Sequence, residues 1–357
     1  MKLQFSANQQ YQLDATNAVV ELFNGQPQAG GLFELAIQDE DLSSLTLAKS
    51  GLGNRLVVTP ERLLKNCQAV QTVYGIQPSE KLEMMTRDTG EPAGEEADFE
   101  SAFPNFTVEM ETGTGKTYVY LRSIYELNKL YGFKKFVIVV PSVAIREGVL
   151  KNLQITHDHF QELYGHVPCS FSVYDSTKVN SLRSFALSNA IQVLVINIDA
   201  FAKDSEETPE SGTKRSKGNV INQIRETGIR PIEFIQATSP FVIVDEPQNM
   251  ETDNRKRAIA RLNPLCTLRY SATPRNAYNL IYQLDPVKAY ELGLVKQIGV
   301  DSVLEDTDSN QAFIELEGFK TTTKSVSAKI KIWVNGTNGN GAGKKSITVK
   351  NGDNLFE

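Results

Sequence analysis

Cysteine is scarce in this chain. Its 357 residues contain three, Cys67, Cys169 and Cys266, odd in number and far apart, which excludes a disulfide framework and points to reduced thiols. Long apolar runs are missing as well. None approaches the ~20 residues that a membrane span needs, and the opening MKLQFSANQQYQLD has no apolar core of the signal-peptide kind. The expected setting is the cytoplasm, with no membrane partner. Histidine is confined to His157, His159 and His166. An H-x-H pair suits a metal, but no Cys or third ligand stands at a suitable spacing, so a solvated helix end is expected. Positive charge is also in short supply. The net charge is −6, whereas a chain that wraps nucleic acid by charge alone is basic. Any nucleic-acid contact must be local or come largely from other parts. No internal repeat is present.

What remains is an ordinary globular composition, 40% hydrophobic and 22% charged, long enough for one large or two ordinary domains. Its centre is FTVEMETGTGKTYVY, residues 106–120. Phe106, Val108 and Met110 alternate as a strand. Thr112, Gly113, Thr114 and Gly115 form a turn, and Lys116 and Thr117 open a helix. Glycines let backbone N–H groups turn inward, and the helix N-terminus adds its positive dipole end, so this unit is suited to cradle phosphate. Lys116 would reach the β/γ-phosphates and the Thr117 hydroxyl would ligate Mg²⁺. The longer phosphate-loop pattern asks for Gly where Met110 stands; the shorter T-G-T-G-K-T form is complete.

The rest of the chain arranges itself around that unit. Residues 9–24 read as a helix closed by Gly25. Short strands are expected at LFELAI (32–37) and NRLVV (54–58), then a helix capped by Thr59-Pro60. Residues 77–104 read as a charged surface loop within an N-terminal insertion spanning 28–104. KKFVIVVP (134–141), CSFSVYD (169–175) and IQVLVINI (191–198) are strand candidates separated by helices. Residues 203–218 read as a mobile loop, 219–227 as an amphipathic helix, and CTLRYSATP (266–274) as a further strand. This β–α alternation specifies an α/β fold, a doubly wound parallel sheet with helices on both faces, over residues 1–298. From 299 to 357 the segments VDSVLE, QAFIELEGF, SVSAKIKIWV and KSITVK alternate like antiparallel strands. Gly341-Ala342-Gly343-Lys344 among them echoes a phosphate loop, but Lys345 replaces the hydroxyl residue and strands follow, so a hairpin turn is expected.

A second constellation ends the strand FVIVDE. Asp245 is placed to hold Mg²⁺ and Glu246 to orient and deprotonate a water attacking the γ-phosphate. Both this edge and the phosphate loop lie at the C-terminal ends of strands in a parallel sheet, so the two can meet. Ser271-Ala272-Thr273 also ends a strand, where hydroxyls could bond Asp245 or Glu246 and couple to nucleotide state; a helix-capping turn before Pro274 is the plainer role.

TGTGKT, DEPQ and SAT, in that order, resemble motifs I, II and III of superfamily-two helicases and translocases. The strings PNFTVEMETGTGKTYVYLRSIYELNKLYGFKKFVIVVPSVAIREGV, IVDEPQNM and LDPVKAYELGLVKQI resemble, more narrowly, the Res subunit of type III restriction endonucleases, and the DEPQ box is specific to that likeness. The resemblance implies a RecA-like lobe, ATP and Mg²⁺ as cofactors, double-stranded DNA and a methyltransferase (Mod) subunit as partners, and hydrolysis coupled to movement on DNA and cleavage in the complete enzyme. It places Gln9 and Gln12 near adenine. It places Ser142, Arg146 and Asn197 on loops that touch the DNA backbone, although Arg146 could equally be a surface residue paired near Glu147. Two family features are not found: a second RecA-like lobe with its arginine finger, and a nuclease signature, since no Lys is preceded two positions earlier by Asp or Glu. The expected identity is thus motor lobe one plus the start of a β-rich insertion. The alternatives are the first lobe of another superfamily-two motor without restriction function, and a non-catalytic module that uses the fold for protein contacts.

Overall fold

The computed structural model describes residues 5–28, 53–94, 97–178, 180–203, 218–225, 228–296, 314–322, 325–334 and 343–353. The strand expected at 32–37, almost all of the loop at 203–218, the VDSVLE segment and Gly341-Ala342 lie outside them. The chain divides into two compact units, Met1–Gln297 and Ile298–Glu357.

The larger unit is built on one sheet. In chain order its strands are β1 (Met84–Thr86), β2 (Ala102–Met110), β3 (Lys135–Val140), β4 (Cys169–Val173), β5 (Ile191–Asn197), β6 (Phe241–Asp245), β7 (Cys266–Ser271) and β8 (Leu280–Leu284). The spatial order is β1-β2-β7-β6-β3-β5-β4, with β8 also on β2. Every pairing is parallel except β1 with β2. Among the described residues eight α-helices accompany them: α1 (Gln10–Glu21), α2 (Pro60–Val73), α3 (Lys116–Tyr131), α4 (Val143–Leu163), α5 (Asn180–Leu187), α6 (Pro231–Gln236), α7 (Asp253–Ala260) and α8 (Pro286–Glu291). This is the expected doubly wound sheet.

Strand residues point alternately to opposite faces, and both faces are covered. Phe136, Ile138, Phe241, Ile243 and Leu268 pack toward the helices α1 to α4, while Val137, Val139, Val242, Val244 and Ile196 form a second core with α5, α6 and α7. Burial on both sides is why β3 and β6 are continuous apolar runs rather than alternating ones. Phe241 sits among Phe23, Phe133 and Phe136, with ring centroids 5.2, 4.7 and 5.5 Å away.

Four expectations need correction. Residues 77–104 are not merely a surface loop. Met84–Thr86 form β1 against Ala102–Pro104, because Met85 and Phe103 are buried together with Ala260. Residues 54–58 make no strand. Their backbone is met by side chains instead: the Gln26 carboxamide accepts from Val57 N at 2.8 Å and donates to Arg55 O at 2.9 Å, and Asn54 bridges Lys134 N and Lys135 O. No α-helix lies at 219–227 among the described residues, only a 3₁₀ turn at Val220–Asn222. The helix comes later, as α6, started by Pro231 and by Glu233 accepting from Arg230 N at 3.1 Å. The histidines are not simply solvated. His157 and His159 are half-buried on α4, His159 Nε2 shares a 2.9 Å hydrogen bond with the Tyr118 hydroxyl, and its ring lies 5.5 Å from that of Phe5.

The smaller unit is an antiparallel sheet of β9 (Ile314–Thr321), β10 (Val326–Val334) and β11 (Gly343–Lys350), in the order β11-β10-β9. A bulge beside Lys329/Ile330 accommodates one extra residue in β9. Among the described residues no helix is long and apolar enough to cross a membrane.

Candidate functional site

The turn between β2 and α3 is tightened by Thr114, whose N–H and hydroxyl both donate to Glu111 O, at 3.3 and 2.6 Å. Gly113 and Gly115 have φ of 84° and 94°, the left-handed region that glycine enters without cost. Over Gly113 the space is open, with nothing within 4 Å of where a Cβ would sit. At Gly115 a Cβ would stand 2.5 Å from Gln12 Nε2. That amide donates to Thr114 O at 3.0 Å and to the Tyr11 hydroxyl at 3.3 Å, so Gln12 braces the turn from outside. The α1 segment is held there by Arg122, which donates to Ala7 O, and by the Tyr131 hydroxyl, which donates to Val20 O at 3.1 Å. A cavity of about 450 Å³ opens beside the turn, lined among others by Phe5, Gln9, Gly113, Lys116, Thr117 and Tyr118. Thr112, at the near end of the turn, donates its N–H to Glu111 Oε1 at 2.7 Å.

Lys116 is the first residue of α3 and Glu246 the first beyond β6, yet Lys116 Nζ lies 3.3 Å from Glu246 Oε1. The ammonium also donates to Met110 O at 3.4 Å. Asp245, the last residue of β6, is 5% exposed. Burial first, then repulsion from Glu246, push its carboxyl up to about 7, while Lys116 pulls the other way. The wholly buried Tyr120 hydroxyl lies beside it and is itself driven far above the ordinary range, by burial and then by Asp245.

Glu246 has φ 54° and ψ 57°. A left-handed conformation in a non-glycine residue costs on the order of 1–3 kcal/mol, and here it is fixed by Glu246 N donating to Tyr270 O at 3.0 Å on β7. The turn that follows swings Gln248 back over the sheet edge. Gln248 Nε2 donates to Glu246 Oε2 at 2.6 Å, the Ser271 hydroxyl donates to Gln248 Oε1 at 2.8 Å, and Thr273 N donates to Ser271 Oγ at 3.1 Å. Of the two roles open to Ser271, a bond to a carboxylate or a turn, the structure gives elements of both, since its Oγ also accepts from Thr273 N. Ser271 reaches Glu246 through Gln248, because the αL turn lifts the carboxylate toward Lys116 and leaves the carboxamide between them. Sequence reasoning missed Gln248; its signal was its place as fourth residue of DEPQ.

Ser142, Arg146 and Asn197 gather at the C-terminal ends of β3 and β5, where Val140 pairs with Asn197. Ser142 Oγ caps α4, accepting from Ile145 N at 3.3 Å, and Asn197 Oδ1 accepts from Asp199 N at 2.8 Å. Arg146 donates twice to Glu147 Oε1, at 2.9 and 3.2 Å. It borders a second cavity, of about 820 Å³, with Tyr174, Lys178 and Asn219. Among the described residues no group of three or more His, Cys, Asp or Glu side chains is arranged to hold a metal by itself.

A family model described as type III restriction enzyme, res subunit, matches residues 61–276. Similar curated proteins include the type III restriction-modification enzyme EcoPI Res subunit of Escherichia phage P1, 27% identical over 273 residues, covering 74% of this chain and 27% of that protein. The EcoP15I Res subunit of Escherichia coli is 31% identical over 210 residues, covering 54% and 21%. The StyLTI Res subunit of Salmonella typhimurium is 35% identical over 189 residues, covering 47% and 18%. The chain therefore spans about a quarter or less of the length of the curated relatives it matches. Among solved structures, the UvsW helicase from bacteriophage T4 gives a TM-score of 0.31 at 13% identity, covering 58% of this chain and 61% of that one. A nuclease-deletion mutant of the type ISP restriction-modification enzyme LlaGI gives 0.34 at 13% identity, covering 53% and 18%.

Proposed function

This chain belongs to the type III restriction enzyme Res-subunit family, and on that premise we propose that its larger unit is the ATP-binding motor lobe of a restriction subunit. The observation that carries the proposal is the meeting of Lys116 with Glu246 at 3.3 Å beside the buried Asp245. Two elements far apart in sequence, the start of α3 and the end of β6, bring one cation and two carboxylates to the rim of an open glycine turn.

The donor set fits a magnesium nucleotide. The space over Gly113 leaves room for a phosphate, and Thr112 to Gly115 would form the cradle with Lys116 on the β/γ-phosphates, Thr112 N–H exchanging its bond to the Glu111 carboxylate for one to phosphate. Thr117 and Asp245 would hold the metal. A carboxyl whose proton is retained up to about pH 7 by burial is one that a dication would discharge. Bound there, the ion supplies charge neutralisation between the phosphates. Glu246, once Lys116 turns to phosphate, is free to accept a proton from water, and Gln248 and Ser271 keep its carboxylate aimed. Gln9, Phe5 and Tyr118 line the cavity where the base would lie; Gln12 would act by bracing the turn.

In the complete enzyme this hydrolysis would be coupled to movement on double-stranded DNA and to cleavage, with a Mod methyltransferase subunit choosing the site. The second lobe, its arginine and the nuclease centre would be supplied outside this chain. Ser142, Arg146 and Asn197 would meet DNA phosphates, contacts that position without reading sequence. An arginine finger is worth about 10³–10⁵ in kcat in related phosphoryl-transfer enzymes, so the isolated chain should bind Mg-ATP weakly and turn it over slowly. Calorimetric titration with a slowly hydrolysed ATP analogue and Mg²⁺ tests this. Binding that is lost in Lys116→Ala supports the proposal; binding indifferent to Lys116, or rapid DNA-stimulated turnover by this chain alone, refutes it.

A further inference from the structure

The antiparallel sheet carries a surface that the nucleotide site does not use. Side chains alternate between its faces, and the register sorts them. Val326, Ala328, Ile330 and Ile332 share one side with Phe319, Leu316 and Ile314 on β9 and with Val349 and Ile347 on β11. The other side takes Lys329, Lys331 and Trp333 from β10, Lys320 from β9, and Lys344 and Lys350 from β11. Glu315 and Glu317 are the acids among them. Glu317 is already engaged, by Lys329 at 3.0 Å and by the Ser346 hydroxyl at 2.7 Å. A chain of net charge −6 has thus collected five lysines on one side of a three-stranded sheet. Trp333 stands in that lysine field 48% exposed, with Lys344 Nζ 5.5 Å from its ring centre.

We propose that this face binds single-stranded nucleic acid, with Trp333 stacking on an unpaired base and Lys329, Lys331 and Lys344 meeting the flanking phosphates. Lys329, Lys331 and Trp333 follow one another at about 7 Å along β10, and Lys344 faces Trp333 from the next strand, about 5 Å away. An indole framed by ammonium groups matches a polymer that alternates π-faces with anions. Base–aromatic stacking is worth ~1–3 kcal/mol per base and tolerates any sequence. A duplex offers the lysines its phosphates but gives the indole no base face. The proposal stands independently of the nucleotide site.

Trp333 is the single tryptophan of the chain, so its fluorescence reports on this face alone. Titration of the full chain at low salt with oligo(dT) of about 15 nucleotides, near the upper site size of one strand-binding fold, should quench it saturably. The double substitution Lys329→Gln with Lys331→Gln should weaken binding at least tenfold. It should also flatten the salt dependence by about 1.4, at ~0.7 per phosphate for a single strand. Lys345→Gln, on the apolar side, should leave both nearly unchanged, and Lys116→Ala should quench like the unsubstituted chain. No binding overturns the proposal, as does binding seen by oligonucleotide anisotropy without any change in the indole. Equal quenching by a duplex of the same length, or full affinity in the double variant, overturns it too.

Discussion

The Ser271 hydroxyl and the Glu246 carboxylate, at the ends of neighbouring strands, both bond to the carboxamide of Gln248, at 2.8 and 2.6 Å. One end of that carboxamide accepts and the other donates, so the two groups are joined with a fixed polarity. Through Glu246 the line runs on to Lys116. On the proposed function, the base would thereby be oriented by the SAT segment, which carries no charge of its own.

Replacing Gln248 should break that line while sparing nucleotide binding. In the complete enzyme, Gln248→Ala is expected to lower kcat for ATP about tenfold with little change in nucleotide affinity. Ser271→Ala should cost no more when added to it, and a double-mutant cycle should return a coupling of about 0.5–3 kcal/mol. Fully additive losses would place Ser271 outside the line.

Glu246→Gln would remove the proposed base but keep the shape and most of the hydrogen bonding. Mg-ATP binding should persist in calorimetry, while turnover in the complete enzyme should fall by about 10²–10⁴, the usual contribution of a positioned base.

Asp245 gives the apo chain a pH signature. Its carboxyl is raised to about 7, chiefly by burial, from an unfolded value near ~3.9. Between those values the folded state holds a proton that the unfolded state has released. The associated stability is full below about pH 4 and is lost as pH rises through about 7. Asp245→Asn should flatten that segment of a thermal-denaturation profile. If Asp245 holds the metal as proposed, magnesium-nucleotide affinity should rise across the same window, since the metal would displace the proton.

Gly115→Ala sets a methyl group 2.5 Å from Gln12 Nε2, at φ 94°. Nucleotide binding should drop by more than tenfold. Adding Gln12→Ala should recover part of it, because the clash is relieved while the strained φ remains.

Phe241→Ala leaves a cavity among three other phenylalanines and should cost about 3–5 kcal/mol in denaturant unfolding.

Much of this was legible in the sequence because a parallel sheet writes its chemistry at strand ends. Apolar runs buried on both faces mark β3 and β6, and the residues just past β2, β6 and β7 can then only lie on one edge. What escaped depends on single backbone or side-chain choices. Nothing in D-E-P-Q announces that Glu246 turns left-handed, yet that turn decides whether Gln248 faces solvent or Ser271. Likewise Gln26 and Asn54 occupy hydrogen-bonding groups that would otherwise have made residues 54–58 a strand, and three-residue β1 is too short for any periodicity to reveal. Gln12 reads as a base-contacting residue in its motif, but its amide is already committed to the turn.

β7 is laddered on one side to the strand that feeds the glycine turn and on the other to the strand that ends in the carboxylates. A slip of one residue in any of these ladders would invert the facing of every side chain along it, so the three ends are locked level, like planks nailed to a common batten. On the proposed motor reading, any movement coupled to the nucleotide would fall to what overhangs the planks, the turns and their side chains, since a shift in the timber underneath would have to break ladder hydrogen bonds.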